Sequence, residues 1–184
     1  MHFAEQKSFI SQRGENNMLR LRPYKSIDAK YIVSWMQDKR SFAMWCADKF
    51  QYPLTEAQLY HYKEKYAQDE NAWLMTALDE QGKPVGHFLM RLADFESGSI
   101  HLGFIIIDPG IRGKGYGRQM LQQAVRYTFE ILDMQRITLS VFDANPAAHS
   151  CYKSAGFIDD RYEANAFIRQ KEAWGLYDMS VERE

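Results

Sequence analysis

The feature that most restricts this chain is a glycine-dense turn set between an apolar run and an amphipathic one. Ile105-Ile106-Ile107-Asp108-Pro109-Gly110-Ile111-Arg112-Gly113-Lys114-Gly115-Tyr116-Gly117 passes from a strand-sized hydrophobic segment into a helical pattern. Five of the eleven glycines fall between Gly103 and Gly117. Glycines permit positive φ and let a ligand approach the backbone amides closely. The helix that follows adds unpaired N–H groups and the positive end of its dipole, so an anion is the expected occupant. The side chains agree: Pro109 to Phe129 holds four basic residues, Arg112, Lys114, Arg118 and Arg126, and no acidic one. A tight β–α turn with merely solvated lysine and arginine is the bland alternative.

Spacing rejects the two common nucleotide motifs. A P-loop needs a hydroxyl residue after its lysine to reach Mg²⁺, and Lys114 is followed by Gly115. The dinucleotide fingerprint G-x-G-x-x-G fails because Arg118 stands at the third glycine position.

Around this turn the pattern is β-α-α-β-β-β-α-β-α-β-β, which implies one mixed sheet with helices on its faces. Alternation begins at Met18-Leu19-Arg20-Leu21-Arg22. A helix is expected over 27–38 with Ser26 as its cap, then an aromatic loop over 41–53, then a helix opened by Thr55. Strands are expected at 72–78, 84–92 and 99–107, and Leu121, Val125, Thr128 and Leu132 share one face of a helix over 117–132. A strand over 136–141 leads to a short helix that Asn145-Pro146 starts and Gly156 ends. The last strands, 157–160 and 174–181, flank a polar excursion from Arg161 to Glu172.

Residues 1–17 are polar and unpatterned and read as a flexible N-terminal extension, with 18–184 as a single domain. Arg13-Gly14-Glu15 is compatible with codons resembling a ribosome-binding site, which makes Met18 a candidate start. Charge is balanced, 23 Lys+Arg against 24 Asp+Glu, which argues against coating nucleic acid or anionic lipid. No run approaches the ~20 apolar residues of a membrane span, and no apolar stretch follows basic residues at the N-terminus. Cys46 and Cys151 stand far apart, and no histidine lies at ligand spacing, so no disulfide framework and no metal are expected. The expected setting is the cytoplasm, as a monomer or homodimer.

Two motifs in order resemble a family. Arg112-Gly113-Lys114-Gly115-Tyr116-Gly117 is similar to the [QR]-x-x-G-x-[GA] motif of the GNAT superfamily of acetyl-CoA-dependent N-acetyltransferases. Downstream, Asn145-Pro146-Ala147-Ala148-His149-Ser150-Cys151-Tyr152-Lys153-Ser154-Ala155-Gly156-Phe157 is similar to that family's N…Y…GF motif, and the element order matches over about residues 18–181. The resemblance implies an α/β (α+β) fold: a mixed sheet of about seven strands, splayed between the fourth and fifth, with about four helices.

It also implies a function: acetyl transfer from acetyl-CoA to a primary amine in a ternary complex, with no covalent enzyme intermediate. The pantetheine arm would bond the backbone of Ile105, Ile106 and Ile107. The pyrophosphate would sit on Arg112, Gly113, Lys114, Gly115, Tyr116, Gly117 and Arg118. An amide near Ile106 or Ile107 would receive the oxyanion. Tyr152 matches the proton donor to the departing thiolate, and Asn145 faces the cofactor; a packed core tyrosine and a plain N-cap are the alternatives. Cys151 reads as a small buried hydrophobe.

The general base is less defined. Some relatives carry a glutamate on the fifth strand, where Ser140 stands here, and others carry one on the fourth, where His101 stands, on the same strand face as Gly103 and Ile105. An exposed strand-end histidine is the alternative, and Asp94, Glu96 or water are fallbacks. The acceptor side is expected from Trp35, Phe42, Trp45, Phe50, Tyr52 and the Arg161–Glu172 excursion, which otherwise pack helices onto the sheet. The chain lacks the dense acidic cluster that suits a polyamine or aminoglycoside. A non-catalytic acyl-CoA-binding module and a transferase for another acyl-CoA remain the rival readings.

Overall fold

The computed structural model describes residues 19–169 and 171–184; the expected extension and the candidate start at Met18 lie outside them. Strand β1 (Arg20–Pro23) leads through a 3-10 turn (Ser26–Asp28) to α1 (Ala29–Trp35), α2 (Lys39–Cys46) and α3 (Glu56–Ala67). Strands β2 (Trp73–Leu78), β3 (Pro84–Asp94) and β4 (Ser99–Ile107) form a meander. Helix α4 (Tyr116–Arg126), extended by a π turn (Tyr127–Ile131), crosses over to β5 (Arg136–Phe142). Helix α5 (Pro146–Ser154) and the hairpin β6 (Ile158–Arg169) and β7 (Glu172–Glu182) complete the chain. The strands make one seven-stranded sheet in the order β1-β2-β3-β4-β5-β7-β6. Only β4 and β5 run parallel, as a helical crossover requires.

Each face of the sheet buries its own core. Leu102, Met120, Leu121, Ile137, Leu139 and Met179 pack under α4 and α5. Ile32, Phe42, Leu59, Leu89 and Ile106 pack under α1 to α3. Local chemistry fixes the helix starts. The Thr55 hydroxyl accepts from the Gln58 amide, and the Asn145 side chain accepts from the Ala148 amide with Pro146 in the first turn.

Three expectations are corrected. Ser26 caps nothing: the Asp28 carboxylate takes the Lys25 amide at 2.9 Å, and Ser26 Oγ instead accepts from Lys63 Nζ. The segment 41–53 is helical to Cys46, because Asp38 caps it through the Arg40 and Ser41 amides and Ala47 stops it in the left-handed region. The polar excursion over 161–172 is mostly strand, because β6 pairs with β7 out to Arg169↔Glu172. The helices therefore number five α-helices among the described residues, one more than expected.

Asp28 joins the first helix to the sheet. It is 2% exposed and accepts from both Arg22 terminal nitrogens at 2.7 and 2.8 Å and from Thr76 Oγ1 at 2.9 Å. Burial alone would raise its pKa, but the bonds from Arg22, the Lys25 amide and Thr76 outweigh it and hold the carboxyl below its usual range. Its contribution is therefore complete above the unfolded carboxyl pKa of about 3.9 and is lost as pH falls through the lower folded value. Arg22→Ala leaves a buried carboxylate without its cation and is expected to cost ~3–5 kcal/mol. Urea denaturation checks this; a loss under ~1 kcal/mol would show that the pair carries little of the α1 attachment.

Candidate active site

The site begins with a defect in β4. Gly103 lies opposite Leu89 and Ile106 opposite His87, so Phe104 and Ile105 together oppose the single residue Phe88. This is a β-bulge, with Phe104 in the left-handed region at φ 49°. The extra residue reverses the strand's alternation. Ile100 and Leu102 point to the α4 face before it, and Ile105 and Ile107 do so after it, while Phe104 and Ile106 pack on the α1–α3 face. His101 therefore does not share a face with Ile105, as uninterrupted alternation would have it. It lies with its register partner Arg91 on the side of Phe104 and Ile106.

Just before the bulge, β4 also loses its other neighbour. Pairing with β5 runs only from Ser99↔Arg136 to Leu102↔Leu139, and beyond Leu139 strand β5 pairs with β7 alone. The Asp108 amide donates to Val85 O at 2.9 Å, so antiparallel alternation directs Ile106 to β3 and turns the amide and carbonyl of Ile107 into the gap. An open cleft of about 940 Å³ fills that gap. Ile105, Ile106 and Ile107 line it, as do Arg112, Gly113, Gly115, Tyr116, Gly117 and Arg118.

The glycine turn ends at the mouth of the cleft. Gly113 and Gly115 sit at φ 77° and 83°, and a Cβ on either would meet nothing within 4 Å. Both need the positive φ, and both leave open space over the first amides of α4. Gly117 has a different reason: its Cβ would come 3.0 Å from Cys151 Sγ, so it lets α4 approach α5. Arg112, Lys114 and Arg118 are exposed, and Lys114 belongs to the turn without lining the cleft.

Helix α5 supplies the opposite wall. Tyr152 is 8% exposed and lines the cleft, and burial, followed by the neighbouring Cys151, pushes its phenol well above the ordinary range. It stays protonated at any working pH. Asn145 lines the cleft while its Oδ1 accepts from the Ala148 amide at 3.2 Å, so capping and facing the cleft coexist. Cys151 also has its pKa raised by burial and is a protonated thiol near neutrality.

On the other face, the His101 imidazole is driven down to about 4, first by burial and then by Arg91, with Asp178 opposing. Its Nδ1 lies 3.0 Å from Thr138 Oγ1, whose hydroxyl donates to Ile100 O at 3.4 Å. With that proton committed, Nδ1 is assigned as the donor and Nε2 carries the lone pair. Ser140, which stands where some relatives carry a glutamate, lines the cleft and donates to Asp178 Oδ1 of β7 at 2.8 Å. Asp94 is spent on a turn, accepting from Glu96 and Ser97, and neither Asp94 nor Glu96 lines the cleft.

A strand-end gap, a glycine turn on a helix N-terminus and a tyrosine opposite them are the parts expected of an acetyl-CoA enzyme, and a family model decides the matter. The model described as the acetyltransferase (GNAT) family matches residues 33–157. The chain belongs to that family. This GNAT protein is accordingly an N-acetyltransferase whose cosubstrate is acetyl-CoA. It is similar to the spermidine N(1)-acetyltransferase of Vibrio cholerae, 25% identical over 83% of this chain and 86% of the relative. It is also similar to the mycothiol acetyltransferase of Propionibacterium freudenreichii, 33% identical over 52% of this chain and 31% of the relative. A solved structure of the Vibrio cholerae spermidine N-acetyltransferase with CoA and spermine superposes with a TM-score of 0.78 at 22% identity, covering 90% of this chain and 95% of that one.

Of Trp35, Phe42, Trp45, Phe50 and Tyr52, the candidates for the acceptor side, Trp45 lines the cleft and the other four do not. Trp35 and Phe42 are core, Phe50 stacks on Trp45, and the exposed Tyr52 donates to Gln37 O. Phe167 of the hairpin lines the cleft and packs on Phe142 and Trp174. Lys49, Arg91, Phe104 and Phe142 also line it and were not among the candidates. Arg91 gave no sequence signal, since an arginine in a strand reads as a solvated position. The geometry generates one test of the turn. Gly115→Val introduces a side chain where φ is positive and is expected to weaken acetyl-CoA at least tenfold by calorimetry, with the far-UV spectrum retained. Unchanged affinity would mean that the turn is not a binding surface.

Proposed function

We propose that this protein acetylates a primary amine by direct transfer within the β4–β5 gap, with Ile107, Tyr152 and His101 performing the separate tasks. The observation that carries the reading is the gap itself, which turns the Ile107 amide towards open space at the end of the strand that feeds the glycine turn. The residues present fit acetyl-CoA. Gly113 to Arg118 offer a basic turn at the amino end of α4 for the pyrophosphate, and the exposed edges of Ile105 and Ile107 suit the amides of the pantetheine arm. Bound there, acetyl-CoA supplies an activated acyl group and a thiolate leaving group.

The chain's own groups account for the rest. The Ile107 amide, fixed by the ladder, donates to the oxygen that gains charge when the amine attacks; such preorganised donors contribute about 2.7–4 kcal/mol. The Tyr152 hydroxyl, protonated throughout the working range, donates to the departing sulfur. His101 Nε2 accepts a proton from the attacking nitrogen, which becomes strongly acidic once it bonds to the acyl carbon. Because His101 titrates near 4, it is neutral above about pH 5 and always ready to accept.

The relatives' names make a polyamine the first acceptor to consider, and the cleft's charge, taken up below, argues against it. Two results test the assignments. Tyr152→Phe is expected to lower kcat about 10²–10⁴-fold with acetyl-CoA affinity kept. A kcat within threefold of the parent would return Tyr152 to a packing role. His101→Ala is expected to lower kcat and to remove an inflection near pH 4 from the pH–rate profile, leaving the limb set by the amine; an unchanged kcat would exclude His101 from proton transfer.

A further inference from the structure

We infer that the acceptor amine belongs to a molecule that also carries an oxyanion, and that Arg91 is the side chain that holds it. The inference rests on the acetyltransferase reading above and specifies the acceptor.

The first observation is the state of Arg91. It lies on β3 directly across from His101, and its guanidinium covers Gly103: a Cβ there would be 3.4 Å from Nε and 4.0 Å from Cζ. That places it one residue before the bulge, beside the cleft that it lines. The Arg91 guanidinium makes no hydrogen bond and no ion pair among the described residues, and its Nε is buried without a partner. The side chain is half-buried; its Nε–H is kept from water without an acceptor, which is costly, and a carboxylate or phosphate matches the guanidinium fork with two parallel bonds.

The second observation is the sign of the surroundings. The charged residues lining the cleft are Lys49, Arg91, Arg112 and Arg118, and no aspartate or glutamate is among them. Arg112 and Arg118 belong to the glycine turn, which leaves Lys49 and Arg91 on the acceptor side. The neighbouring carboxylates are already paired. Asp178 lies 3.0 Å from Arg161, Glu172 lies 2.6 Å from Arg40, and Asp48 lies 3.4 Å from Arg169. Trp45 Nε1, a donor only, is likewise buried at the cleft without a partner. A polycation would meet unpaired donors and like charge there, whereas an oxyanion supplies the acceptors that are missing.

The test compares acceptors of different charge with wild-type protein and acetyl-CoA: β-alanine, 2-aminoethyl phosphate, n-propylamine, 1,3-diaminopropane and spermidine. The expected result is a kcat/KM for β-alanine or 2-aminoethyl phosphate about ten- to a hundredfold above n-propylamine, with the diamine and spermidine lowest. Which of the two anions leads distinguishes a carboxylate from a phosphate. In Arg91→Gln the ratio of β-alanine or phosphate amine to n-propylamine falls by a similar factor, and Arg91→Lys restores part of it. Preference for 1,3-diaminopropane or spermidine overturns the inference, as does a ratio unchanged in Arg91→Gln; should that variant not fold, the wild-type series alone decides. If no amine is turned over, calorimetry of the same compounds on CoA-saturated protein takes its place, and failure of both oxyanion amines to bind overturns it equally. Failure of the wild type to bind acetyl-CoA contradicts the acetyltransferase reading instead.

Discussion

The parting of β4 from β5 is the constraint on which the rest of this structure depends. Two parallel strands share only the short ladder from Ser99 to Leu102, and past it each keeps a single partner, β3 on one side and β7 on the other. In an ordinary sheet the backbone groups of Ile107 would be spent on a neighbouring strand. Here they are left over at the carboxyl end of a parallel pair, where α/β folds bind ligands. The bulge at Phe104 bends the strand at this place and exchanges the side chains presented to each face. The same gap lets α4 bring its amino end, and α5 its Tyr152, to the opened edge.

The two sides of the gap are chemically distinct, and the bulge is the reason. The α4 face brings Ile105, Ile107 and the glycine turn to the cleft, where the proposed reading seats the pyrophosphate and the thioester. The other face brings Arg91, His101, Ser140 and Trp45 to it, where the same reading places the acceptor. A net charge of −1 for the whole chain conceals this arrangement. Carboxylates around the hairpin are paired with Arg161, Arg40 and Arg169, and the charged residues that line the cleft are all basic. Fold likeness to a polyamine acetyltransferase and a different acceptor charge are compatible, because fold places the thioester while a few side chains set the acceptor.

The turn and the two motifs were legible because their chemistry is local: positive φ at Gly113 and Gly115 and capping by Asn145 are properties of a few consecutive residues. The succession of elements followed from hydrophobic periodicity and turn residues, and the splay between the fourth and fifth strands from the family resemblance. The bulge was not legible, because Gly103 to Ile107 offers apolar side chains to two apolar cores, so either phase looks acceptable; this is why His101 was placed with Ile105. Helix α2 did carry a signal, Asp38 as cap and Phe42, Ala43 and Cys46 at helical spacing, which the dense aromatics obscured. Strand β6 carried almost none: its side chains are exposed nearly throughout, and it is a strand because β7 supplies its ladder. Arg91 became visible only through what it lacks, a partner.

On the proposed reading, acetyl-CoA enters between β4 and β5, taking the Ile107 amide and the amino end of α4. The most direct measurement is an amide ¹H–¹⁵N titration of the protein with acetyl-CoA. The largest shifts are expected at Ile105, Ile107 and Gly113 to Arg118, with smaller ones on α5 around Tyr152. Shifts centred elsewhere, such as the smaller hollow lined by Tyr24, Ser26 and Tyr60, with Ile107 and Gly115 unmoved, would contradict it.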